Sequence, residues 1–65
     1  MNLIVNGDPY PFTGTTVADL VAELQLTGRR LAVEVNREIV PKSEHGTHTL
    51  REGDTVEVVH AIGGG

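Results

Sequence analysis

Sixty-five residues with no cysteine and a net charge of −4 make one small domain and exclude disulfide staples and thiolate metal sites. The acidic residues are scattered and no basic stripe is present to displace counterions from phosphates, which excludes a nucleic-acid partner and suits a basic protein surface instead. No apolar run approaches membrane-spanning length and no basic-then-apolar leader precedes the first strand, so no membrane partner and a cytoplasmic location are expected.

Met1-Asn2-Leu3-Ile4-Val5 alternates as a strand does, with Met1, Leu3 and Val5 on one face. Asn6-Gly7 is a hairpin signal, because both central residues of a type I′ turn need positive φ. The return strand, Asp8 to Phe12, carries Pro9 and Pro11 and is therefore placed at a sheet edge, since proline cannot donate to a ladder. Thr16-Val17-Ala18-Asp19 has the capping-box pattern of a helix start. Val17, Leu20, Val21 and Leu24 then form one apolar stripe, and Gly28 is the expected left-handed stop. Leu31 to Asn36 alternates again, with Leu31, Val33 and Val35 inward and Ala32, Glu34 and Asn36 outward. Ile39-Val40 is a brief apolar pair ended by Pro41, and Lys42 to Thr49 reads as an exposed polar loop containing a turn. Arg51 to Asp54 turns the chain into a last strand, with Val56 and Val58 inward and Glu57 and Val59 outward.

The order β-β-α-β-(β)-β predicts an α+β, β-grasp fold: a mixed sheet with one main helix packed on one face. The last strand has clean alternation and no proline, so it is placed centrally and parallel to the first. A single domain over residues 1–62 and a flexible glycine tail over residues 63–65 follow. About a dozen large apolar side chains, each worth roughly 1.5–3 kcal/mol when buried, must hold it together.

The tail is the most informative segment. Gly63-Gly64-Gly65 follows the strand-like run ending at Ile62. Glycine accepts almost any backbone conformation, and three extended residues reach roughly 10 Å. The stalk carries only an α-carboxylate, ionised at neutral pH because its reference pKa is about 3.3–3.7. A carboxylate on a thin stalk fits a group carrier. On the glycines alone, an inert end or a cloning scar stands level with that reading.

Three further stretches carry a resemblance: Leu50-Arg51-Glu52-Gly53-Asp54-Thr55-Val56, Val35-Asn36-Arg37-Glu38-Ile39-Val40-Pro41-Lys42 and Ala61-Ile62-Gly63-Gly64-Gly65. Together with the β-grasp order they resemble the ubiquitin-like sulfur carriers, and within these the ThiS family of thiamine thiazole biosynthesis. The likeness covers essentially the whole chain. Family members commonly end in a bare Gly-Gly after a larger residue, whereas Gly63 makes a third glycine here. The resemblance implies that Gly65 is adenylated at the expense of ATP by an E1-like enzyme and converted to a thiocarboxylate. That group then donates sulfur to thiazole synthase, with a sulfur-transfer enzyme as a further partner. It implies a non-enzymatic carrier, monomeric when free, with no cofactor of its own. A molybdopterin sulfur carrier shares fold and tail, a ubiquitin-like modifier would join its tail to lysines, and an interaction module would leave the tail inert.

Ile4, Ala32, Val59 and Ala61 fall on the outward face of the sheet and, with Ile62, are the expected partner-binding patch leading to the tail. His45 and His48 have His-x-x-His spacing but no convincing third and fourth ligand, so no metal site is expected. His60 stands at the base of the tail, as a strand-end residue. Ser43 beside His45 lacks an orienting acid, and no catalytic triad is expected.

Overall fold

A computed structural model of the chain describes residues 1–60. Strands β1 (Asn2–Val5) and β2 (Asp8–Pro11) precede helix α1 (Val17–Glu23), which is followed by β3 (Leu31–Val35) and β4 (Glu38–Val40). A 3₁₀ turn at Lys42–Glu44 leads toward β5 (Thr55–His60). The five strands form one sheet in the order β2-β1-β5-β3-β4, with β5 parallel to β1 and antiparallel to β3. The sheet is the mixed β-grasp arrangement that the order of elements predicts.

Local chemistry explains each element. Asn6 and Gly7 both have positive φ (51° and 87°), as a type I′ hairpin turn requires. Phe12 and Met1 exchange both backbone bonds, and Leu3 lies opposite Tyr10, so Pro9 and Pro11 fall at the alternate, non-bonded pairs. Their missing N–H groups thus face the open edge and cost no ladder bond. β3 and β4 are joined by a second two-residue turn with positive φ at Asn36 (51°) and Arg37 (71°). Arginine in that conformation carries a steric cost that glycine avoids.

The capping box at the start of α1 is complete: Thr16 Oγ1 accepts from the Asp19 amide, and Asp19 Oδ2 accepts from the Thr16 amide at 3.0 Å. The helix ends earlier than Gly28. Leu26 N–H bonds the Val21 carbonyl and Gln25 N–H bonds the Ala22 carbonyl, a Schellman closure with Gln25 at φ 60° in the left-handed position. Gly28, at φ 87°, serves instead in the next turn, closed by Arg29 N–H on the Leu26 carbonyl.

The segment after β4 is more than an exposed loop. The carbonyls of His48 and His45 accept from the amides of Val17 and Ala18, two of the donors that a helix start leaves without intrahelical partners. Leu50, which follows, is 1 % exposed. It joins Leu3, Phe12, Val17, Leu20, Val33, Val35, Val56 and Val58 in a core between helix and sheet. Met1, at 43 % exposure, lies outside that core although it shares the parity of Leu3 and Val5. Gly14 lies where a side chain has no room: a Cβ there would sit 2.6 Å from Asp19 Cβ and 2.9 Å from the Phe12 ring.

Candidate functional site

The candidate site is the end of β5, which residues 61–65 follow in the sequence. His60, the last described residue, is in register with Leu31, so β3 flanks β5 to its end. On the other side β1 is paired with β5 only as far as Val5 and Val56. The side chain of Asn6 takes over from there, with Oδ1 accepting the Val58 amide at 2.8 Å while its backbone amide donates to the Val56 carbonyl. Central position, a long antiparallel neighbour and this side-chain rung hold β5 in place through its last residues. Ala61, Ile62, Gly63, Gly64 and Gly65 lie outside the described residues.

Register divides the expected partner-binding patch. Ala32 and Val59 are directly opposed across β3 and β5 and exposed, Val59 by 56 %. Ile4 is different: it is paired with Thr55, at the start of β5, and half-buried. Four residues of strand separate that level from Val59, roughly 13 Å. Ile4 is therefore not contiguous with the patch, because parallel pairing sets the first strand against the beginning of β5. Between them lie Glu57 and its cross-strand partner Glu34. Ile39, 69 % exposed and in register with Glu34, is the apolar neighbour that sequence reasoning missed. Its signal was the inward Val40 next to it, which by alternation turns Ile39 outward.

The shifted carboxylates of the described residues serve the fold. Asp19 is held below the ordinary carboxylate range by the amides of Thr16 and Thr15. Glu23 is held below it by the Thr13 hydroxyl, 2.6 Å away, then by the Tyr10 hydroxyl and the Thr13 amide. Glu23 thus ties the helix end to the β2–α1 connection. His45 donates from Nε2 to the Val40 carbonyl at 3.1 Å. No cluster of three or more metal-ligating side chains occurs among the described residues, and none of their helices is long and apolar enough to cross a membrane.

Residues 3–65 match the model of the ThiS family. The chain belongs to the ThiS family. It is 40% identical over 50 residues to the sulfur carrier protein ThiS of Bacillus subtilis, covering 77% of this chain and 76% of that one. It is 44% identical over 66 residues to a thiazole synthase of Paramagnetospirillum magneticum, a match that takes in 100% of this chain but 20% of the synthase. The chain therefore spans about a fifth of the length of that relative. In three dimensions it resembles the crystal structure of the thiamine biosynthesis protein ThiS from Geobacter metallireducens, with a TM-score of 0.85 and 33% identity over the whole of both chains. The ThiS match runs through the three glycines, which follow His60 in the sequence after Ala61 and Ile62.

Proposed function

We propose that this chain is a sulfur carrier for thiamine thiazole formation, and that the Gly65 carboxylate is the group loaded. The observation that carries the reading is a ThiS-family match extending through Gly63, Gly64 and Gly65, beyond a strand locked into the middle of the sheet. A carboxylate is a poor electrophile. Adenylation in an E1-like partner joins a carboxylate oxygen to the α-phosphate of ATP and releases pyrophosphate, so that this oxygen can later depart with AMP, a good leaving group. Sulfur then displaces AMP and leaves a thiocarboxylate, which delivers sulfur to thiazole synthase. The carrier supplies recognition and reach, and the enzymes supply the chemistry. It is a co-substrate rather than an enzyme, holds no cofactor, works in the cytoplasm and is monomeric when not bound to its partners.

Thiazole synthase as the receiving partner is supported by the relatives in Paramagnetospirillum magneticum and Magnetococcus marinus, in which a stretch matching all of this chain forms part of a thiazole synthase. Joining carrier and acceptor in one chain raises their effective concentration. The same relatives favour thiazole over molybdopterin formation. Val59 and Ala32, exposed and directly opposed near the end of β5, form the docking patch.

The test is ATP–pyrophosphate exchange with the adenylating enzyme, followed by intact-mass detection of sulfur-for-oxygen exchange. Deleting Gly65 shortens the reach by about 3.3–3.6 Å, and reacting atoms must approach to about 3–3.5 Å, so exchange should largely vanish. One residue added after Gly65 should have the same effect. Near-normal exchange in the extended variant would overturn the assignment of Gly65.

A further inference from the structure

A groove of about 270 Å³ runs between α1 and the Lys42–Gly46 segment, on the helix side of the sheet. It is lined by the apolar side chains of Val21, Leu26 and Leu31 and the basic ones of Arg29 and Lys42, with His45 among them. Small-molecule sites span roughly 300–1,000 Å³, so this space suits a side chain better than a cofactor. Leu31 also ties the groove to the end of β5, because its register partner is His60.

The Lys and Arg residues that line the groove are Arg29 and Lys42, while Asp19 and Glu23 of α1 and Glu44 of the 3₁₀ turn lie elsewhere on the helix side of the sheet. The chain carries −4 overall, yet Arg29, Arg30 and Lys42, three of its five Lys and Arg residues, lie at or beside this groove. The outer face presents Glu34 opposite Glu57, flanked by Val59, Ala32 and Ile39. A groove with Arg29 and Lys42 in its lining and an outer face with Glu34 and Glu57 therefore lie on opposite sides of the sheet near the end of β5.

We propose that the groove is a second docking surface, and that its occupant is an acidic segment of the sulfur-supplying protein with an apolar side chain between carboxylates. The inference rests on the carrier reading above and adds to it the place where the sulfur donor binds. An acyl-adenylate released into water is lost to hydrolysis, so it must stay in the activating enzyme while sulfur arrives. Two proteins then grip the carrier at once and need separate faces. With a persulfide donor, the terminal sulfur attacks the carboxyl carbon and AMP leaves, giving an acyl disulfide. A thiol then cleaves its S–S bond, yielding the thiocarboxylate and a disulfide. Free sulfide needs no docking: it displaces AMP directly to give the same thiocarboxylate.

The experiment compares the unaltered chain with the Arg29→Glu/Lys42→Glu double variant and a milder Arg29→Gln/Lys42→Gln control, circular dichroism confirming that each is folded. ATP–pyrophosphate exchange reads activation, and intact mass reads thiocarboxylate formed from a persulfide-loaded sulfur-transfer protein or from sodium sulfide. The expected result is normal exchange and normal loading from sulfide in both variants. Loading from the protein donor should fall on the order of tenfold in the reversed variant, the scale of losing a steered encounter, and less in the neutral one. Unchanged loading from the protein donor would overturn the inference. So would an equal fall in exchange or in loading from sulfide, since the groove would then serve activation. Absence of exchange in the unaltered chain would remove the carrier reading itself, and this inference with it.

Discussion

Asn6 joins two jobs in one side chain, and they can be separated by substitution. Its backbone sits at φ 51°, and its Oδ1 accepts the half-buried Val58 amide at 2.8 Å. Asn6→Asp keeps the acceptor and tolerates the left-handed backbone, so stability should change by less than about 0.5 kcal/mol. Asn6→Gly keeps the turn but leaves the Val58 N–H without its partner, which costs about 1–2 kcal/mol. Asn6→Ala loses the bond and adds roughly 1–2 kcal/mol of left-handed strain, for a total of about 2–4 kcal/mol. Urea melts at constant m-value give the ranking, and native-state hydrogen exchange at the Val58 amide localises it. Exchange at Val58 should accelerate in Asn6→Gly and Asn6→Ala and stay slow in Asn6→Asp. Equal stability of the glycine and alanine variants would refute the strain term. Unchanged Val58 protection in both would refute the side-chain rung.

Gln25→Gly and Arg37→Gly should each raise stability by up to about 1 kcal/mol in thermal melts, because both residues hold positive φ. Gly14→Ala should lower it by about 1–3 kcal/mol, since the new methyl group meets Asp19 and the Phe12 ring; a neutral result would mean that the β2–α1 connection yields. Asp19 and Glu23 have folded-state pKa values below their ordinary ones. Their contribution is therefore present above the unfolded pKa, about 3.9 for Asp and 4.3 for Glu, and lost as pH falls through the folded values. Asp19→Asn with Glu23→Gln should flatten the acid limb of a stability–pH curve, and an unchanged limb would assign acid unfolding to other carboxylates. Val59→Asp should weaken binding to the adenylating enzyme in titration calorimetry, whereas Ile4→Asp, at the far end of β5, should leave it near the unaltered value. An equal loss from both would restore Ile4 to the docking patch.

Much of this molecule could be read directly from the chain. Asn6-Gly7 specifies a turn through φ alone, Thr16 and Asp19 specify a helix start through one reciprocal pair of bonds, and the two prolines confine β2 to an edge. Each is a local interaction between residues a few positions apart, so short-range rules suffice. The placement of β5 was also legible, because uninterrupted alternation suits a strand flanked on both sides. Other features depended on distant partners. Gln25, rather than Gly28, closes the helix because the Leu26 side chain packs on the core at that point and draws the chain into the Schellman turn. The histidine loop caps α1 through backbone carbonyls that have no sequence signature. Ile4 parted from Val59 because alternation assigns a residue to a face but says nothing of its level along a neighbouring strand. Register is a property of pairing between strands some fifty residues apart in the chain, and only the folded sheet decides it.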